Sequence, residues 1–92
     1  MFARMTAFEA TDIAAIEDQL DDLAARSSAI PGQVRSEVIW TAAGKGFVVA
    51  IYETEEAANG AEEHALKIWA SVLPHLAAAP VTEAYPRVRI MK

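Results

Sequence analysis

The segment that determines the architecture of this chain reads Phe47-Val48-Val49-Ala50-Ile51-Tyr52-Glu53-Thr54-Glu55-Glu56. Its first six residues are mostly β-branched or aromatic, which predicts a central strand. Thr54 then stands in the N-cap position of a helix, and two acidic residues follow in the first turn, where the helix dipole favours negative charge. Because the strand passes into a helix with almost no loop, we expect this helix to fold back over its own sheet.

The helix predicted after Thr54 has an apolar face whose side chains grow along its length. This face consists of Ala58, Ala61, Ala65, Ile68, Trp69, Val72 and Leu76, which share one sector of a helical wheel. The alanine end can approach the sheet closely, whereas the tryptophan end must stand further away. This increase in side-chain size along the helix, here called the taper, predicts a wedge-shaped gap between helix and sheet. The gap either forms a ligand pocket or is filled by side chains of the first helix. Pro74 removes a helical hydrogen bond and predicts a kink or stop near residues 72–73.

The other elements follow from hydrophobic period and turn residues. We predict strands over 2–8, 34–41 and 81–91, with Pro86 placing the last strand at an edge or a bulge. A further helix begins at Thr11 or Asp12 and buries Ile13, Ile16, Leu20 and Leu23. The resulting order is βαββαβ, which is the ferredoxin-like α+β plan with an antiparallel four-stranded sheet, in a single domain over residues 1–92.

The two sheet faces depend on the loop between the second and third strands, over residues 42–46. With a loop of two or four residues, the helices cover Val34, Ser36, Val38, Trp40, Phe47, Val49 and Ile51. The opposite face, expected to meet another subunit, then carries Arg35, Glu37, Ile39, Thr41, Val48, Ala50 and Tyr52. Arg4 would join Glu37 and Tyr52 there if residues 2, 4, 6 and 8 point the same way. A three-residue loop would invert the relation between the two strands.

Composition limits the partners of the chain. Apolar residues make up 53% of the sequence, more than so small a domain can easily bury, which indicates a homodimer through the open sheet face. A net charge of −5 without a basic stripe argues against nucleic acid. The absence of cysteine excludes thiol catalysis and thiolate metal sites and suits a cytoplasmic protein. No apolar run reaches the ~18 residues of a membrane span, so we expect no membrane partner.

Three features give the chain a family resemblance. They are the short first strand Phe2-Ala3-Arg4-Met5-Thr6, the Pro31-Gly32 pair before the second strand, and the junction Tyr52-Glu53-Thr54-Glu55-Glu56-Ala57. On these features, which span essentially the whole chain, it resembles the antibiotic-biosynthesis-monooxygenase-like domains of the dimeric α+β barrel superfamily. The resemblance implies that two subunits pack sheet against sheet into a barrel with the helices outside. It also implies a cavity between sheet and helices for an aromatic or polyketide-like substrate, or for haem.

The haem-degrading members of that superfamily carry an Asn on the first strand, and a Trp and a His on the second helix. This chain has Arg4 or Thr6 on that strand and Ala61 where the Trp would stand, while His64 and Trp69 are not at matching steps. We therefore predict no cofactor. No second histidine lies four residues from His64, so we predict no metal site either.

The candidate site residues each have a functional and a structural interpretation. Tyr52 and His64 are the candidate catalytic residues, with His64 a general base at a pocket edge or, in the plainer interpretation, a histidine at the helix boundary. Trp40 and Trp69 either stack on a flat substrate or pack in the core. Arg4 either binds substrate or forms an ion pair with Glu37 at a dimer interface.

Together these residues suggest a cofactor-independent monooxygenase acting on a small aromatic or polyketide-like compound. Its cavity would be bordered by Trp40, Tyr52, His64 and Trp69. The alternatives are a non-catalytic dimeric ligand-binding module and a protein that binds or degrades haem.

Overall fold

Four strands and two interrupted helices make up the fold of residues 1–92 in the computed structural model. The strands are β1 (Phe2–Glu9), β2 (Gln33–Trp40), β3 (Lys45–Tyr52) and β4 (Val81–Tyr85), and the helices are α1 (Ile13–Glu17), α2 (Leu20–Ser28), α3 (Glu55–Gly60) and α4 (Glu62–Ala70), followed by a 3-10 turn at Leu73–His75. All neighbouring strands are antiparallel, in the order β2-β3-β1-β4. The ferredoxin-like α+β plan predicted from the sequence is confirmed.

The second helix begins where the capping signal places it. The Thr54 hydroxyl accepts a hydrogen bond of 3.0 Å from the Ala57 amide, as an N-cap side chain does. The helix is interrupted at Ala61, directly after Gly60, whose helix propensity is low. Backbone bonds from Ala61 N to Ala57 O and from Ala65 N to Ala61 O cross the interruption. The two segments therefore continue one another over the sheet.

The first helix and the chain ends also follow local signals. Asp12 is the cap, because its carboxylate accepts from the Ala15 amide at 3.1 Å. The predicted stop before Pro74 is confirmed, since α4 ends at Ala70 and the proline lies in the 3-10 turn. Strand β4 is an edge strand, but the prediction that it continues to residue 91 was wrong. It ends directly before Pro86, which has no N–H to donate to a ladder.

The β2–β3 hairpin has a three-residue loop over residues 42–44, which corrects the predicted loop length. Gly44 N donates to Thr41 O at 2.9 Å, and Thr41 N donates to Lys45 O at 2.8 Å. Gly44 has φ +89°, the left-handed conformation that commonly closes a loop of this length. Val38 therefore pairs with Val48 and Trp40 with Gly46.

This register corrects the predicted facing of β3, whereas Ser36 and Val38 of β2 face the helices as predicted. The face packed against the helices, here called the covered face, carries Phe2, Arg4, Thr6, Phe8, Ser36, Val38, Trp40, Val48, Ala50 and Tyr52. The other face, here called the open face, carries Ala3, Met5, Ala7, Arg35, Glu37, Ile39, Phe47, Val49 and Ile51. The expected cluster of Arg4, Glu37 and Tyr52 was wrong. Arg4 and Tyr52 point towards the helices, whereas Glu37 pairs with Arg35 on the open face.

The tightest packing lies at the alanine end of the second helix. Ala58 is 0% exposed and packs with Phe2, Ile30, Tyr52 and Ala61 in one buried cluster. Small side chains let α3 approach β1 and β3, and the distance from sheet to helix then grows towards Trp69. None of the helices combines the length and the apolar composition that a membrane span needs.

Candidate functional site

Two adjoining cavities lie between the covered face and the helices, at the wide end of the taper. The first, here called the polar cavity, has a volume of about 240 Å³, and the second, the apolar cavity, about 190 Å³. They share as walls Ser27, Ser36, Val48, Ile68 and Trp69. Each is therefore smaller than the roughly 300 Å³ at which small-molecule sites begin.

Most polar groups of the polar cavity are paired with one another. The Thr6 and Thr82 hydroxyls are 2.8 Å apart and bridge β1 to β4. The Ser27 and Ser36 hydroxyls are 3.0 Å apart, and Gln33 Nε2 donates to the Ser27 carbonyl at 3.0 Å. These pairs fix the walls and leave few free donors inside.

The Tyr52 hydroxyl is the exception. The residue is 3% exposed and lines the polar cavity, yet its hydroxyl makes no hydrogen bond with the protein. Burial raises the pKa of the Tyr52 phenol above its usual value, and the nearby Arg4 guanidinium opposes this shift. At neutral pH Tyr52 is therefore protonated and can donate a hydrogen bond to a ligand.

Arg4 lines the same cavity from the adjacent strand. Its Nη2 donates to Asn59 Oδ1 of α3 at 2.8 Å, and no carboxylate lies within ion-pair distance of it. Since the amide is neutral, the charge of Arg4 is left without a counter-charge. Glu62, at the start of α4, also borders the polar cavity but is exposed.

The two tryptophans occupy different places. Trp69 borders both cavities, and its ring is tilted against Phe8 with centroids 5.9 Å apart. Trp40 is on the covered face as predicted, but at its margin, where it borders a separate open depression near the hairpin. Gly46 is required beside it, because a Cβ there would lie 2.7 Å from the Phe8 ring.

The histidines lie away from both cavities. His64 is exposed on α4 and is not a wall residue, and His75 in the 3-10 turn is not one either. The cavities thus contain no histidine to hold a haem iron, and Tyr52 is the one wall residue of a type that can do so. No group of three metal-ligating side chains occurs in the chain.

The sequence did not single out Thr6, Gln33, Ser36 or Thr82 as site residues. Each is an uncharged polar residue on a strand, at a position that alternates towards the helices. That alternation was the available signal, but it identifies a polar wall only when the facing of each strand is known.

Comparison with known proteins supports the fold. No protein-family model matches the chain, and no curated protein matches it. Among solved structures, a candidate antibiotic biosynthesis monooxygenase from Caulobacter crescentus matches with TM-score 0.79 and 21% identity, over 96% of this chain and 90% of that one. Another candidate antibiotic biosynthesis monooxygenase, from Nitrosomonas europaea, gives TM-score 0.81 and 17% identity, over 97% and 100% of the two chains.

A third match is a variant of SnoaB, a cofactor-independent oxygenase from Streptomyces nogalater. It has TM-score 0.79 and 14% identity, over 98% of this chain and 95% of that one. The resemblance to antibiotic-biosynthesis-monooxygenase-like domains is therefore confirmed at the level of the fold.

Proposed function

We propose that this protein is a cofactor-independent monooxygenase acting on a small aromatic or polyketide-like compound, bound between the covered face and the helices. The observation that carries the proposal is the Tyr52 hydroxyl, which has no hydrogen-bond partner in the protein and is accessible at the wall of the polar cavity, although the residue as a whole is 3% exposed. Trp69 supplies a flat apolar wall next to it. The fold shared with a cofactor-independent oxygenase adds support.

The proposed reaction oxidises an acidic CH₂ group to a carbonyl with dioxygen. The substrate loses two hydrogens and gains one oxygen atom, and the second oxygen atom leaves as water, so the reaction needs no other reductant. The substrate must first lose a proton, and the resulting negative charge must be stabilised on its own oxygen. A cavity that excludes water favours this step, because hydrogen bonds to a developing oxyanion are stronger there.

In this proposal Tyr52 donates a hydrogen bond to the substrate oxygen, and Arg4 balances its charge. Trp69 positions the ring by stacking. The substrate proton leaves through the cavity mouth to solvent. His64, the predicted general base, lies on the exposed side of α4, so the proposal gives it no contact with the substrate.

Oxygen uptake with anthrone, a tricyclic ketone with an acidic CH₂ group, tests this function. The wild type should consume one O₂ per quinone formed. Tyr52→Phe should lower the rate about 100-fold, the loss typical for one oxyanion donor. His64→Ala is the control and should act at nearly the wild-type rate. No uptake above the uncatalysed rate, or a Tyr52→Phe rate equal to the wild type, would contradict the proposal.

A non-catalytic ligand-binding module is the second candidate. It is favoured by the position of His64, since no histidine borders the cavities to take up a proton at neutral pH. Native mass spectrometry of the purified protein separates the two candidates. A binding module would retain an aromatic compound and release it unchanged in air, whereas an oxygenase would release it with its CH₂ group oxidised.

We also propose a homodimer through the open face. Ile39 and Val81 lie on this face and are 60% and 64% exposed, and Phe47 is exposed beside Ile39. A second copy would cover this surface, as large apolar patches on small proteins usually require. A cytoplasmic location, favoured by the absence of cysteine, stays a prediction.

A further inference from the structure

We infer that the polar cavity takes its ligand as an anion: an aromatic compound with a carboxylate, phenolate or enolate oxygen held by Arg4. The inference rests on the proposed function and adds the charge of the ligand to it. It excludes neutral hydrocarbons and amides as preferred ligands.

The first argument is the charge of Arg4. Three of the eight Lys and Arg side chains form ion pairs with carboxylates, namely Arg26, Arg35 and Lys67, and Arg4 is not among them. Arg4 has only the neutral Asn59 amide. Its guanidinium borders the polar cavity and can donate charge-assisted hydrogen bonds to a bound anion, which are stronger than those to a neutral acceptor.

The second argument is the convergence of donors. Arg4 pairs with Ala50 and Phe2 with Tyr52 in the β1–β3 ladder, so Arg4 and Tyr52 are diagonal neighbours on the covered face. Both line the polar cavity, and both can donate to one oxygen or to the two oxygens of a carboxylate. The hydroxyl and amide groups of the threonine, serine and glutamine walls are hydrogen-bonded with each other, as in the Thr6–Thr82 pair.

Glu62 acts in the opposite direction, since its carboxylate also borders the polar cavity. It is exposed and forms no ion pair, so water screens its repulsion of a bound anion. The chain as a whole carries a net charge of −5, which disfavours anions on its surface. If the protein binds anions more tightly than neutral analogues, we therefore infer that they bind in the polar cavity and not on the surface.

Calorimetric titration with 2-naphthoate and its neutral isostere 2-naphthamide at pH 7 tests the inference. The wild type should prefer 2-naphthoate by about tenfold or more, equivalent to about 1.4 kcal/mol. Arg4→Met should abolish this preference and leave the affinity for 2-naphthamide within about twofold. Arg4→Lys should retain part of the preference for 2-naphthoate. Glu62→Gln should increase this preference, and it changes only an exposed side chain.

The outcomes separate this inference from the proposed function. If the wild type binds both probes equally, or if Arg4→Met keeps the preference, the inference is wrong while the cavity stands as a binding site. If neither probe binds, both the inference and the proposed ligand site are contradicted. Unfolding curves of each variant establish that the folded protein was titrated.

Discussion

Filling the polar cavity should stabilise the protein and remove its ligand site. Ala65 lies on α4 with its side chain half-buried at the wall of this cavity of about 240 Å³. Ala65→Leu adds three carbon atoms, and at ~0.8 kcal/mol per buried CH₂ the upper limit is about 2.4 kcal/mol. Because part of the added side chain stays near the mouth, we expect the free energy of unfolding to rise by about 1–2 kcal/mol.

Urea unfolding followed by tryptophan fluorescence measures this change. Wild type and variant are compared at one protein concentration, because dimerisation would make stability concentration-dependent. Ala70→Leu is the matched control, since Ala70 is on the same helix but exposed, and its effect should stay within about 0.5 kcal/mol. Titration with 2-naphthoate should show at least about tenfold weaker binding to Ala65→Leu, or about 1.4 kcal/mol.

Two results would refute the reasoning. A loss of about 1–3 kcal/mol in Ala65→Leu would mean overpacking, and hence no room beside Ala65. Undiminished affinity for 2-naphthoate would mean that the ligand binds elsewhere, whatever the change in stability.

Three other predictions concern the hairpin, Tyr52 and the open face. Gly44→Ala should destabilise by about 1–3 kcal/mol in urea unfolding, because φ is +89° and the new Cβ would lie 3.0 Å from the Ala10 carbonyl; wild-type stability would show that the loop adjusts. Burial raises the pKa of Tyr52, so the contribution of its protonated form to the free energy of unfolding is present below the usual tyrosine pKa of about 10 and is lost as pH rises above it. The hydrogen bond with Glu83 also raises the pKa of Tyr85, so the test is made in the Tyr85→Phe variant. Adding Tyr52→Phe to that variant should reduce the fall of the free energy of unfolding with pH above this value, and an unchanged slope would contradict the prediction. Phe47→Glu should halve the mass found by light scattering, from twice the 9.9 kDa of the chain to one copy, and a wild-type monomer would contradict the proposed dimer.

The order of elements and the taper were predictable because their signals are local. Thr54 caps its helix through a contact three residues away. The step from alanine to Trp69 lies within one helix, so the wheel alone located the wide end where the cavities occur.

The facing of β3 was predicted wrongly, because its relation to β2 depends on a single residue of loop length. Each side chain of β3 changes face when the loop grows from two residues to three. Gly44 with its positive φ is typical of a three-residue hairpin loop, and it was the available signal. The error put Tyr52 on the wrong face.

The site itself was only partly predictable. Tyr52, Trp69 and Arg4 border the polar cavity, whereas His64 and Trp40 do not. A helical wheel places His64 next to the apolar face of its helix. It does not show which of the positions beside that face are exposed to solvent. The bond between Thr6 and Thr82 joins residues 76 positions apart, and no local pattern predicts such a contact.

Amide and indole NMR shifts on addition of 2-naphthoate test the central claim most directly, namely that the covered face holds the ligand site. We predict that the largest shifts occur at Thr6, Tyr52, Ala65 and the Trp69 indole N–H, all at the polar cavity. Ile39, on the open face, should stay unchanged. Shifts confined to the open face, or to the depression beside Trp40, would contradict the account.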